Sequence, residues 1–119
     1  MSFKLNHVHL KTKDPEKTAK FYVDTLGAKI VSKNPTGGCR LDLHGLSLNV
    51  SKFLDSQKRE QKYGMEHIAI DTNELDALVE KLKRQGINIL EETVVSGGRR
   101  VCFFEGPDGV QLEFIEMKA

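Results

Sequence analysis

The sequence lacks any long apolar run, any excess of one charge and any cluster of cysteines. No stretch approaches the roughly 20 apolar residues that a membrane-spanning helix needs, and the first residues resemble no secretion signal. The 18 basic and 17 acidic residues leave a net charge of +1, too little for a nucleic-acid or membrane surface. Cys39 and Cys102 form no zinc-binding spacing. We therefore expect a cytoplasmic protein whose partners include neither nucleic acid nor membrane.

The composition is that of an ordinary globular domain. The chain has 119 residues, of which 39% are hydrophobic and 29% charged. A domain of this size buries a core without disulfides or a structural metal, so a bound metal is expected to serve function. The basic residues Lys58, Arg59 and Lys62 are mixed with Glu60, which is typical of a solvated loop.

An internal repeat organises the chain. His7 and His67 lie in similar alternating segments, 60 residues apart. The other landmarks are a glycine that ends a helical pattern, a glycine pair and an x-Gly turn, at offsets of 59, 60 and 64: Gly27 and Gly86, Gly37-Gly38 and Gly97-Gly98, His44-Gly45 and Asp108-Gly109. Four landmarks in the same order predict two structurally equivalent halves.

Each half predicts the element order β-α-β-β-β. The first helix begins at Asp14-Pro15, a capping residue followed by a proline suited to the first turn, and the second begins near Asn73. Each helix is predicted to carry an apolar stripe at helical spacing, formed by Ala19, Tyr22, Val23 and Leu26 in the first and by Leu75, Leu78, Val79 and Leu82 in the second. The later strands are predicted at 28–33, 38–44, 46–52, 87–93, 99–105 and 110–116. We predict an α+β fold of one domain, with module 1–53 and module 64–119 joined by a polar linker, 54–63. The two βαβββ modules are expected to pair into one curved, cup-like mixed sheet with the helices on its convex face.

The polar sides of the predicted strands carry residues suited to a metal. Alternation places His7 and His9 on one side of the first strand, with His67 at the place equivalent to His7. Glu113 lies on the polar side of the last strand, and the repeat makes Asn49 its equivalent. Two imidazoles and a carboxylate suit a divalent transition metal, whereas the amide oxygen of Asn49 is a poor ligand. We expect His7, His67, Glu113 and, more weakly, Asn49 to surround one ion.

The evidence for a role in the site is less direct for the remaining histidines, the cysteines and Phe103. His9 and Phe103 are predicted to line the concave face as substrate-binding residues, with His9 or His44 as substitute ligands. His44 adjoins a glycine and is more typical of a turn. Cys102 lies in an apolar strand and is predicted to be buried. Nothing near Cys39 marks it as a nucleophile.

Two segments resemble the vicinal-oxygen-chelate superfamily, which includes glyoxalase I, bleomycin-resistance proteins and extradiol dioxygenases. The strand that opens at His7 resembles the family's first strand. The stretch Phe21-Tyr22-Val23-Asp24-Thr25-Leu26-Gly27 resembles the family's F-Y-x-x-x-L-G helix end. Residues 104–113, Phe-Glu-Gly-Pro-Asp-Gly-Val-Gln-Leu-Glu, resemble its closing F-x-D-P-D-G-x-x-x-E segment, with Gly106 in place of Asp. The resemblance covers nearly the whole chain.

The resemblance implies a metal site and an activity. In metal-dependent members the ligands come from positions matching His7, Asn49, His67 and Glu113, and Asn49 departs from the usual Glu, Gln or His. The implied function is a lyase or isomerase similar to glyoxalase I or methylmalonyl-CoA epimerase. In such an enzyme zinc, nickel, cobalt, manganese or iron(II) polarises a small carbonyl substrate, stabilising an enediolate, and Glu113 moves a proton.

Two other functions remain open. One is an iron(II) ring-cleaving dioxygenase, and the other is a non-catalytic protein that binds an antibiotic or another small molecule. The family resemblance also implies a homodimer.

Overall fold

The structure, a computed structural model, describes residues 2–117. The chain divides into two compact units. We call residues 7–66 the N-terminal unit, and residues 67–117 together with residues 2–6 the C-terminal unit. Both divisions fall inside strands, so the module boundaries 1–53 and 64–119 stay a prediction. In the described residues, neither helix is long and apolar enough to cross a membrane.

The N-terminal unit is a four-stranded mixed sheet with one helix. Strands β1 and β4 run parallel, and the other neighbours, β3 with β4 and β2 with β3, run antiparallel. The elements in chain order are β1 (Phe3–Lys11, of which residues 7–11 belong to this unit), α1 (Pro15–Leu26), β2 (Lys29–Lys33), β3 (Cys39–Leu43) and β4 (Leu46–Ser51). The α+β class and the β-α-β-β-β order predicted for this half are confirmed.

Local signals explain the limits of α1. The Asp14 side chain accepts a hydrogen bond from the Lys17 amide at 3.2 Å, as a capping residue does. Gly27 ends the helix with a φ of 74°, a left-handed conformation that glycine adopts without strain. The buried apolar residues of this unit include Val8, Leu10, Ala19, Leu41, Leu48 and Val50. Leu26, at the end of the predicted apolar stripe, is instead 44% exposed.

The C-terminal unit repeats this architecture. Strands β5 and β8 run parallel, while β8 with β7 and β7 with β6 run antiparallel. Its elements are β5 (Gly64–Thr72, of which residues 67–72 belong here), α2 (Leu75–Arg84), β6 (Ile89–Val94), β7 (Arg100–Glu105) and β8 (Gln111–Glu116). At the start of β1, Phe3 also belongs to this unit, and its ring stacks on Phe114 with centroids 6.0 Å apart.

The sheet of the C-terminal unit has two different faces. On the face under α2, the predicted stripe of the helix packs against alternate strand residues. The stripe is Leu75, Leu78, Val79 and Leu82, and the strand residues are Cys102, Phe104 and Phe114. The opposite face carries a smaller apolar cluster: Ala69, Val101, Phe103 and Ile115. Because side chains alternate along a strand, Cys102 and Phe103 belong to different clusters. The prediction that Cys102 is a buried core residue is confirmed.

Backbone conformation confirms the internal repeat. The turn residues His44 and Asp108 both have positive φ, 51° and 61°, and each precedes a glycine of positive φ. Bulges interrupt β2 between Ile30 and Ser32 and β6 at the equivalent place. Since identical irregularities recur at matching positions, the two halves share their detailed chain path as well as their element order.

The segment between β4 and β5 is held by buried charges. Lys11, only 2% exposed, donates from its Nζ to Gln57 Oε1 at 3.3 Å and to Gln61 Oε1 at 3.2 Å. Arg59 Nη1 donates to Glu66 Oε1 at 2.9 Å, with both side chains buried. Burial lowers the pKa of the Lys11 ammonium, although the negative charge of Glu66 acts in the opposite direction. The solvated-loop interpretation is therefore wrong for Arg59, because the ion pair draws its guanidinium inward.

Arg59 is expected to contribute strongly to stability. Arg59→Met deprives the buried Glu66 carboxylate of a charge-assisted hydrogen bond and should lower the free energy of unfolding by about 3 kcal/mol. Urea denaturation measures this loss. The exposed neighbour Lys58→Met is the matched control, with an expected change below about 0.5 kcal/mol. Equal denaturation midpoints for Arg59→Met and the wild type would contradict the importance of the pair.

Candidate functional site

Two predicted metal ligands meet on the C-terminal unit. His67 Nε2 lies 3.2 Å from Glu113 Oε1, and the residues are only 4% and 5% exposed. Both project from the sheet face opposite α2, the face on which Ala69 lies. His67 is two residues before Ala69 on β5, and Glu113 is paired with Ala69 in the β5–β8 register, so all three share one face. The parallel pairing thus brings together residues that are 46 positions apart in the sequence.

The surroundings of this pair are mainly apolar. The Phe103 ring meets the His67 imidazole edge to face, with centroids 5.2 Å apart. Phe103 is also paired with Glu113 in the β7–β8 register and is 5% exposed. On the other side, Glu113 is paired with Ala69, which has no exposed surface. A histidine and a carboxylate are therefore held in a small space with little solvent.

The donor set and its spacing fit a divalent transition metal. Imidazole nitrogen and carboxylate oxygen both bind such ions at about 2.1 Å, so two of them on one ion lie about 3.0 Å apart at right angles and about 3.4 Å apart in a tetrahedron. The observed separation of 3.2 Å lies between these values. The same distance suits a hydrogen bond, which would hold the two groups in place before an ion binds.

The N-terminal unit carries His7, His9 and Asn49. The His7 and His9 rings lie 5.5 Å apart, edge to face, and His7 is buried. His9 is paired with Asn49 in the β1–β4 register, as Ala69 is paired with Glu113, so the predicted equivalence of Asn49 and Glu113 is confirmed in the strand pairing. Asn49 Oδ1 accepts a hydrogen bond from Arg40 Nε at 3.1 Å.

His44 has a structural role. Its Nε2 lies 2.7 Å from the Leu26 carbonyl oxygen, at the C-terminal end of α1. That carbonyl is among those that a helix leaves without an intrahelical donor, so the imidazole serves as a cap. The turn interpretation of His44 is confirmed.

Sequence reasoning missed two residues of these faces. Gln111 is 5% exposed and is paired with His67 across β5 and β8. Arg40 is paired with Asn49 across β3 and β4. Alternation along β3 was sufficient to place Arg40 opposite the buried Leu41, but only the pairing register shows which residue of β4 it meets.

Comparison with known proteins establishes the family. The model of the glyoxalase/bleomycin resistance protein/dioxygenase superfamily matches residues 4–114. The chain belongs to this superfamily. A lactoylglutathione lyase of Haemophilus influenzae is 31% identical over 95% of this chain and 92% of that protein.

Solved structures match the fold of the chain. A hypothetical protein from Bacillus halodurans has a TM-score of 0.78 at 22% identity, covering 100% of this chain and 97% of the other. A methylmalonyl-CoA epimerase from Mycobacterium tuberculosis has a TM-score of 0.71 at 20% identity, covering 97% and 88%. At these identities the likeness shows the fold, and it agrees with the α+β class predicted from the sequence.

The two cysteines are expected to be unreactive in the folded protein. Burial raises the pKa of the Cys102 thiol from 9.0 to about 11 and also raises that of Cys39, so both stay protonated at pH 8. A two-unit rise lowers the thiolate fraction about 100-fold, and the thiolate is the reacting form. A disulfide reagent should therefore modify Cys102 at least ~100-fold more slowly before unfolding in guanidinium chloride than after it. Fast modification of the folded chain would show that a thiol is accessible.

Proposed function

We propose that this protein is a metal-dependent lyase or isomerase that acts on a small carbonyl substrate. The observation that carries the proposal is the buried approach of His67 Nε2 to Glu113 Oε1 at 3.2 Å. In this proposal His7 is the third ligand, and zinc, nickel, cobalt, manganese or iron(II) is the ion. The small-molecule substrate and the homodimer expected from the family form part of the same proposal.

Three protein ligands suit such an enzyme better than four. The only acceptor atom of the Asn49 side chain already receives the Arg40 hydrogen bond, and a guanidinium beside it disfavours a cation. We therefore omit Asn49 from the ligand set and assign it the role of hydrogen-bond acceptor for Arg40. Three protein ligands leave coordination positions for water and substrate, which is the usual arrangement of catalytic rather than structural ions.

The reaction divides between the ion and the chain. A bound divalent ion supplies a Lewis acid that polarises the substrate carbonyl. Glu113 takes a proton from the carbon beside that carbonyl. It returns the proton to the other face of the same carbon or, in a hydroxycarbonyl substrate, to the carbonyl carbon while the hydroxyl proton passes to the carbonyl oxygen, so that no atom is gained or lost. Phe103 keeps the imidazole of His67 in place and excludes water. Because the His9 ring lies 5.5 Å from the ring of the proposed ligand His7, His9 is placed to contact a substrate bound at the ion.

Two of the similar proteins favour this class of reaction. The names lactoylglutathione lyase and methylmalonyl-CoA epimerase both denote enzymes whose substrates carry a carbonyl group beside the reacting carbon. A second candidate is an iron(II) ring-cleaving dioxygenase, because two histidines and one carboxylate are the ligand set of non-haem iron oxygenases. Oxygen uptake with a catechol as substrate separates the two.

Metal content is the first test. Protein purified without a metal-affinity tag should carry about one transition-metal ion per chain, and His67→Ala should lose it. Elemental analysis measures the content, with circular dichroism to check that the variant folds. His44→Ala is the matched control, since that imidazole caps α1 and should leave the content unchanged. A metal-free wild type, even after reconstitution, would leave a non-catalytic binding protein as the better account.

Turnover tests the role of Glu113. Glu113→Gln keeps the shape of the side chain but removes the base, so lactoylglutathione formation from methylglyoxal and glutathione should fall at least ~100-fold. Glu105→Gln, at an exposed position of β7, is the matched control. If Glu113→Gln retained wild-type turnover with a substrate that the protein converts, Glu113 would not be the base.

A further inference from the structure

A polar row crosses the sheet of the N-terminal unit. The register pairs Ser32 with Arg40, Arg40 with Asn49, and Asn49 with His9, on four neighbouring strands. The row lies on the face opposite the apolar core, because the neighbours of these residues along the strands, such as Leu41 and Leu48, are buried there. Four polar side chains from β2, β3, β4 and β1 are therefore adjacent.

Arg40 is the positive charge of this row. Its Nε donates to Asn49 Oδ1 at 3.1 Å, which fixes one edge of the guanidinium. Within residues 2–117 no carboxylate forms an ion pair with Arg40. The nearest acidic residue along its strand, Asp42, instead accepts a hydrogen bond from the Gly45 amide at 2.8 Å and so holds the turn. Two guanidinium nitrogens, Nη1 and Nη2, remain to bind an anion.

A cavity adjoins the row. It has a volume of about 230 Å³ and is lined by His9, Arg40, Asn49 and Ser51, among others. His9 Nε2 and Ser51 Oγ are 2.7 Å apart, so an imidazole and a hydroxyl are held together at one side of it. This volume is enough for a carboxylate and a few attached atoms, and its lining offers several hydrogen-bonding groups beside one cation.

The repeat shows that this charge is not demanded by the fold. In the C-terminal unit, the equivalent row consists of Glu91, Phe103, Glu113 and Ala69. Phe103 stands where the N-terminal unit has Arg40, and Glu113 stands where it has Asn49. Phe103 is buried at this place whereas Arg40 is exposed, so the strand accepts either side chain and the fold does not require a cation here.

We propose that Arg40, positioned by Asn49 and assisted by His9 and Ser51, binds a carboxylate of the substrate. The planar guanidinium matches a carboxylate through two parallel hydrogen bonds. His9 adjoins Arg40's partner Asn49 on one side and the His7 ring on the other. The substrate class is therefore a carboxylic acid that also carries the reacting carbonyl. This inference rests on the proposed function for the reacting end, but the anion site stands on its own residues.

Titration with glutarate tests the anion site. Binding of glutarate is followed by NMR through chemical-shift changes of the Asn49 side-chain amide and the backbone amides of β3. Neutral glutaramide is the matched analogue. Arg40→Gln should weaken glutarate binding at least tenfold, and Arg40→Lys, which keeps the charge but loses the fork, should weaken it less. Arg84→Gln, on the exposed side of α2, should bind as the wild type does.

The outcomes separate this proposal from the proposed function. His67→Ala should bind glutarate as the wild type does even when it has lost its metal, because the anion site does not include His67. Binding by Arg40→Gln within twofold of the wild type, equal binding of glutaramide, or loss of glutarate binding in His67→Ala would each overturn the anion site. An absence of metal together with Arg40-dependent glutarate binding would overturn only the proposed enzyme activity.

Discussion

The alternation of side chains along each β-strand is the constraint on which the rest of the structure depends. Successive residues point to opposite faces, so one helix over one face divides every strand into core residues and residues of the other face. Ile70 and Phe114 pack with the α2 core, while Ala69 and Glu113, one position earlier on each strand, belong to the opposite face. A shift of one residue in register would exchange the core and the site, and the core therefore fixes the site.

This constraint explains how a carboxylate and an imidazole come to lie buried side by side. Burying Glu113 and His67 costs desolvation free energy, which their close approach offsets only in part. The apolar side chains of the surrounding face, such as Phe103 and Ile115, gain free energy by burial and stabilise the sheet as a whole. Polar groups kept at such a cost are typical of functional sites.

The two units show how one architecture accommodates different chemistry. Their bulges, glycine turns and strand pairings match, yet the face opposite the helix differs in character. On this face the C-terminal unit has the acidic Glu113 and the aromatic Phe103, both buried, and the N-terminal unit has the polar Asn49 and the basic Arg40. Since the residues of this face contribute little to the helix-side core, they can diverge without loss of the fold.

Local patterns in the sequence determined the elements and their faces, because capping, glycine turns and alternation act over a few residues. Asp14, Gly27 and the stripe from Leu75 to Leu82 illustrate this, and the offset between Asn49 and Glu113 was readable from the repeat alone. Only the tertiary structure decided which strands pair, and so that Arg40 meets Asn49 and that Arg59 turns inward to Glu66. Those contacts join residues from different strands and loops, and their energies depend on register and burial, which no local pattern encodes.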